Sequence, residues 1–159
     1  MIAQDTGYVA VDAEHDLRRL RRQRRWSGFA SKLGLTAGHC TRLTSFADAT
    51  AGRCATAQYT VGLQAVDLDT IVGSVSKAQD FDCGFRPGPT VDERRWLGIA
   101  RALRSGESLP PVSLYRVGGR HFVQDGHHRV SASRAIGRQS VDAYVTEVLV
   151  AQDPPTVST

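Results

Sequence analysis

At 159 residues, with 41% apolar content and a net charge of +4, the chain has room for one domain of about 100–150 residues plus an appendage. No run approaches the roughly 20 apolar residues of a membrane-spanning helix, and the start MIAQDTGYVAVDAEHD is acidic and lacks the apolar stretch of a secretory signal. Cys40, Cys54 and Cys83 are odd in number, widely spaced and free of any Cys-x-x-Cys pair, which argues against a disulfide framework or zinc ribbon and for a reduced, cytoplasmic setting.

Basic charge is concentrated near the start: residues 1–59 carry nine basic and five acidic side chains, residues 60–150 eleven and ten. Residues 14–33 read as a helix with an imperfect apolar stripe of Leu17, Leu20, Trp26, Phe29 and Leu33. Six arginines between Arg18 and Arg25 make a local field that suits nucleic acid. On a helix they spread around the circumference, so a solvated face or a partner-docking helix answers the pattern equally well. The following TSFADATAGRCATAQ is small and polar, without a period, and reads as loop or weak helix. Residues 1–60 are thus expected to form a basic, partly helical N-terminal extension.

From residue 61 the pattern sharpens. LQAVDLDTIV alternates like a half-buried strand, and GSVSKAQDFDCGFRPGPT reads as a long ordered loop. VDERRWLGIARALRSG predicts a helix capped by Thr90 or Asp92, with Trp96, Ile99, Ala100 and Leu103 on one face and Gly106 as its stop. PPVSLYRVGGRHFVQ predicts a hairpin turning at Gly118 and Gly119. A helix from His127 to Ile136 ends at Gly137, and SVDAYVTEVLV predicts a last strand with Val141, Ala143 and Val145 on one side. Residues 151–159 read as a flexible tail. The order strand, loop, helix, hairpin, helix, strand over residues 61–150 describes an α+β domain with a small mixed sheet.

The functional signal is the run VQDGHHRVSASRAIG at the last strand-to-helix junction. The first N–H groups of a helix have no internal acceptors and carry the positive end of the helix dipole. Gly126 permits an unusual φ and a close approach to the backbone, and His127, His128 and Arg129 add donors at the same point. Such a turn is suited to cradle phosphate. Asp125 repels phosphate, so it is expected to cap the helix, fix a histidine tautomer, hold Mg²⁺ or act as a general base. The plainer alternative is a buried Asp cap with histidines that satisfy backbone groups. Two adjacent histidines without a third ligand nearby make a poor zinc site, so no metal-ligand set is assigned. Lys77 and Arg86 in the long loop, and Arg94 or Arg95 at the helix start, are the next candidates for ligand contact.

The stretch from VDLDTIV to SVDAYV, about residues 64–147, resembles the ParB/sulfiredoxin superfamily. The likeness lies in a first strand ending Leu-x-x-Ile, a helix, a Pro-containing turn, a hairpin and a Gly-x-x-Arg turn that opens a helix. The resemblance implies a ParB/sulfiredoxin-like fold that binds nucleotide phosphates at Gly126, His127, His128 and Arg129. The nucleotide is CTP in ParB proteins, ATP in sulfiredoxins, and ADP or ATP in the free-serine kinases of this fold; Mg²⁺ is expected with it. Sulfiredoxins carry their catalytic cysteine where this chain has His127, so their reaction is not implied. The kinases use a glutamate shortly after the first strand, where only Asp80 or Asp82 could substitute. The expected function is a nucleotide-dependent binding module or switch that contacts nucleic acid through Arg18 to Arg25. The alternative is a small-molecule phosphotransferase using ATP or ADP with Asp125 as the catalytic residue, and a ParB-like nuclease comes third. No membrane partner and no particular oligomeric state are implied.

Overall fold

The computed structural model describes residues 7–32, 40 and 42–151. The first element is the helix α1, Val9–Lys32, which begins ahead of the expected Glu14. Its inward face carries Ala13, Leu17 and Leu20 together with two buried acids, Asp12 and Asp16. Trp26 and Phe29 were expected on the buried stripe, yet they are 68% and 59% exposed. At 3.6 residues per turn they lie about 120° and 180° around the helix from Leu20. Beyond Leu20 the helix meets the domain through Arg21 and Arg24 instead. Leu33 lies outside the described residues.

The segment expected to be loop or weak helix holds a short strand β1, Thr44–Ser45, one turn of helix α2, Phe46–Thr50, and the start of β2, Ala55–Asp67. Strand β2 therefore crosses residue 60. Both of its faces are exposed from Ala55 to Thr60, so no apolar alternation marks it in the sequence; pairing with the last strand holds it. LQAVDLDTIV is also two elements, not one. The Asp67 carboxylate accepts from Asp69 N–H at 2.8 Å and turns the chain through a 3₁₀ turn, Leu68–Thr70, into β3, Ile71–Ser74.

The remaining elements follow the sequence pattern closely. Helix α3 spans Glu93–Arg104, with the Asp92 carboxylate accepting from Arg95 N–H. Strands β4, Val112–Val117, and β5, Arg120–Asp125, are joined by Gly118 and Gly119 with φ of 55° and 79°, the conformation a tight hairpin turn needs. Helix α4 spans His127–Ala135 and β6 spans Ser140–Val150. The six strands form one mixed sheet in the order β1-β3-β5-β4-β6-β2. Strand β3 runs parallel to β5 and β6 parallel to β4, while the β4–β5 and β2–β6 pairs are antiparallel.

One sheet face, through Val112, Leu114, Val123, Ala143 and Val145, packs in a single cluster with Trp96, Ala100 and Leu103 of α3 and Val130, Ala132 and Ala135 of α4. Leu17 and Leu20 of α1 join the same cluster. The other face carries a smaller cluster of Val117, Phe122 and Val148 beneath Phe46 and Ala49. Helix α1 is also fixed by charge. Asp16, almost wholly buried, takes Arg104 at 2.6 Å and Arg19 at 2.9 Å, so neither the acid nor its partners is left with an unpaired charge at this shielded position.

The loop over residues 75–92 is ordered by its own side chains. Asp82 is buried; its carboxylate accepts from Gly84 and Arg86 N–H at 3.0 Å and pairs with the Arg86 guanidinium. Trp96 Nε1–H donates to Ser131 Oγ at 2.9 Å, and Ser131 Oγ–H donates to the Phe85 carbonyl at 2.7 Å, tying α3, α4 and the loop together. The cysteine reading needs correction: Cys40 and Cys83 form a disulfide, and Cys54 is free and exposed. Their 43-residue separation is closed because Leu43 N–H donates to the carbonyls of Ala78 and Phe81 while β1 pairs with β3. No helix among the described residues is long and apolar enough to cross a membrane.

Candidate functional site: the cleft at the start of helix α4

Gly126 is the pivot between β5 and α4. Its φ of 98° is one that L side chains rarely adopt, and a Cβ there would stand 2.5 Å from Val112 Cγ1. Glycine is required at this position on both counts. No side chain caps α4, so the N–H groups of His127, His128 and Arg129 face outward at the positive end of the helix without intrahelical acceptors.

His127 is buried beneath this turn. Its Nε2 lies 2.7 Å from Ser74 Oγ, which also accepts from Ser76 N–H at 3.2 Å and Lys77 N–H at 2.8 Å. With two N–H groups donating to it, the Ser74 hydroxyl has its own proton to give, and His127 Nε2 is the acceptor. The ring is then neutral with its proton on Nδ1. Burial first, and then the positive charge of Lys77, pushes its pKa down to about 4, in agreement with that hydrogen-bond assignment. The ring stacks on Phe81 at 6.1 Å between centroids.

His128 is only 8% exposed, with its ring edge-on to Phe81. Its Nε2 is buried and has no hydrogen-bond partner among the described residues. An unsatisfied buried polar atom costs about 1–3 kcal/mol, and this nitrogen lies below the surface of the cleft. Burial, then the charges of Arg95 and Lys77, lowers the pKa of His128 as well. At neutral pH both rings are uncharged, and the positive charge here comes from lysine and arginine.

Arg129 and Asp125 are bound to each other. The Arg129 guanidinium donates to Asp125 Oδ2 at 2.6 Å, to the Pro111 carbonyl at 2.8 Å and to the Pro110 carbonyl. It therefore clasps the entry of β4 to the start of α4. The Asp125 side chain is 66% exposed, at the rim of the cleft.

The cleft has a volume of about 60 Å³ and is lined by Lys77, Arg95, Ile99, Gln124, Asp125, Gly126, His127, His128 and Arg129. That is room for a few waters or one phosphate group, not for a whole nucleoside. All four residues from Gly126 to Arg129 line it, and so does Asp125. Of the outlying basic candidates, Lys77 and Arg95 line it as well; Arg86 instead pairs with Asp82. Asp82 is committed to its loop, and Asp80 accepts from Thr90 Oγ1 at 3.0 Å. Sequence reasoning missed Ser74, whose only signal was its place at a strand end before a polar loop, and Ile99, which was assigned to the core and is half-buried at the cleft. Among the described residues no three His, Cys, Asp or Glu side chains are grouped to hold a metal ion.

The architecture is thus a six-stranded mixed sheet with helices, α+β in class. No protein-family model and no curated protein matches the chain. Among solved structures it is similar to sulfiredoxin from Arabidopsis thaliana, with 14% identity and a TM-score of 0.43 over 55% of this chain and 86% of that one. The likeness is one of backbone course and assigns neither ligand nor activity.

Proposed function

We propose that the protein is a phosphate-recognising module that holds a phosphate group of a nucleotide in the cleft at the start of α4. The observation that carries this reading is the convergence of Lys77 and Arg95 on an uncapped helix start whose floor is an obligatory glycine. In this reading the N–H groups of His127 to Arg129 receive the phosphate oxygens, Lys77 and Arg95 supply charge, and Arg129 holds the frame. The nucleoside part lies outside the small cleft, so CTP, ATP and ADP are the nucleotides to compare. Mg²⁺ is usually held by one or two carboxylates together with phosphates and water; Asp125 is the one carboxylate on the lining, and it would serve the ion through Oδ1 while Oδ2 keeps its pair with Arg129. The ion would neutralise phosphate charge when bound.

Binding is favoured over phosphoryl transfer because all three candidate carboxylates are engaged elsewhere, Asp125 by Arg129, Asp80 by Thr90 and Asp82 by its own loop. The test is a thermal-shift series with ATP, ADP, CTP and inorganic phosphate, each with and without Mg²⁺, on wild type, Lys77→Ala and Arg95→Gln. A ligand at 100 times its Kd stabilises by about 2.7 kcal/mol, or about 5–11 °C for a chain of this size. The expected result is a nucleotide-dependent rise that both variants diminish. No rise with any ligand, or a rise that both variants retain, overturns the proposal. Arg129→Ala is unsuited to the test because it also removes the clasp on Pro110 and Pro111.

A further inference from the structure

The arginine run on α1 divides into two groups. Arg18 pairs with Glu14, Arg19 with Asp16, Arg21 with Glu93, and Arg24 donates to the carbonyls of Asp80 and Arg86. These four serve the helix or its docking. Arg22 and Arg25 have no hydrogen bond or ion pair among the described residues, and both are exposed. Beside them on the same helix stand Trp26 and Phe29, each more than half exposed.

This part of α1 borders a groove of about 790 Å³, lined by Arg21, Arg24, Arg25 and Phe29 of the helix and by Pro87, Pro89 and Glu93, the last paired with Arg21. Arg22 and Trp26 stand outside the groove on the exposed face of the helix. The walls are held at a set spacing. Arg24 lies directly over Gly88, where a Cβ would stand 2.7 Å from its guanidinium, and its two carbonyl contacts fix helix to loop. Arg22, Arg25, Trp26 and Phe29 follow one another at i, i+3, i+4 and i+7 and so share one face of α1; unpaired cations beside exposed flat rings are the elements by which proteins hold unpaired bases and their phosphates. We infer that the exposed face of α1 beside this groove binds single-stranded nucleic acid, with backbone phosphates on Arg25 and Arg22 and bases against Trp26 and Phe29. An acidic peptide would meet the same charge but would leave the two aromatic faces in water. The site is separate from the cleft at α4 and does not depend on it.

The molecule supplies its own reporter. Trp96 is fully buried and bonded to Ser131, so quenching of tryptophan fluorescence by a stacked base would come from Trp26. The experiment titrates the full chain with a labelled oligo-deoxythymidine, following anisotropy and tryptophan emission across a salt series. Wild type is expected to bind with quenching and with an affinity that falls as salt rises. Trp26→Ala should weaken binding by roughly ten-fold or more, as loss of one stacked base does. Arg25→Ala should reduce the slope of log affinity against log salt by about 0.7. Arg95→Gln, in the α4 cleft, should leave binding unchanged. Both α1 residues are exposed, so these variants keep the fold, and an unchanged thermal midpoint verifies it. No binding at low salt, or equal binding by wild type and Trp26→Ala, overturns the inference. So does poly-glutamate binding as tightly as the oligonucleotide, which would make this face a protein-docking surface, and so does a loss seen only in Arg95→Gln, which would move the nucleic acid to the cleft.

Discussion

Acid should destabilise this protein through one identifiable histidine. His127 has a pKa of about 4 in the folded chain, because its ring is buried and Lys77 is close, against an ordinary value of 6.5 in the unfolded chain. The neutral ring is the form the fold accepts, with Nε2 receiving the Ser74 hydroxyl proton. Its contribution is therefore fully present above pH 6.5, is lost progressively as pH falls from 6.5 towards 4, and changes no further below that, where both states carry the proton. The span corresponds to about 3 kcal/mol, or about 6–14 °C in thermal midpoint for a chain of this size. His121 and His128 are shifted downward as well, mainly by burial, and add to the acid sensitivity of wild type. The comparison that isolates His127 is wild type against His127→Gln, with urea unfolding at intervals between pH 7.5 and 4. Absolute stability will differ between the two, so the quantity read is the slope. The variant should lose about 3 kcal/mol less than wild type over this interval. Identical slopes would mean that His127 titrates near its ordinary pKa, and the Ser74 hydrogen bond as assigned would be wrong. Nitrogen NMR of the imidazole gives an independent reading, with the proton expected on Nδ1 at neutral pH.

Four further outcomes follow from packing, charge and the cysteine pairing. Gly126→Ala should cost about 2–5 kcal/mol in urea unfolding, combining a strained backbone with a Cβ driven into the buried Val112 side chain; a loss under about 1 kcal/mol would contradict the tight pivot. Asp16→Ala should cost about 3 kcal/mol, because it strands Arg104 and Arg19 at a shielded position. Glu14→Ala, whose pairs are exposed, should cost about 0.5 kcal/mol or less by the same assay. Thiol titration of the oxidised native protein should find one reactive group, Cys54, and three after reduction and unfolding.

The sequence by itself determined the elements whose apolar period or turn chemistry is local. Asp92 before Trp96, Ala100 and Leu103 was enough for α3; paired glycines between alternating runs were enough for the hairpin; glycine before His-His-Arg marked a helix start able to meet an anion. It could not reveal β2, because from Ala55 to Thr60 that strand is exposed on both faces and is held by hydrogen bonds to β6 instead of burial. Nor could it divide LQAVDLDTIV, where the side chain of Asp67 rather than any glycine or proline turns the chain. The use of each charged group was decided in three dimensions. Arg129, expected to meet phosphate, lines the cleft and also clasps Asp125 and the entry of β4, Asp82, weighed as a substitute for the kinase glutamate, orders its loop, and six similar arginines on one helix separate into docking and solvent-facing sets. The physical reason is common to all of these. Secondary structure here is specified by residues within a turn or two of one another, whereas which side chains meet, four residues apart as in Arg129 with Asp125 or forty-three as in Cys40 with Cys83, is set by where the turns and the sheet order carry them.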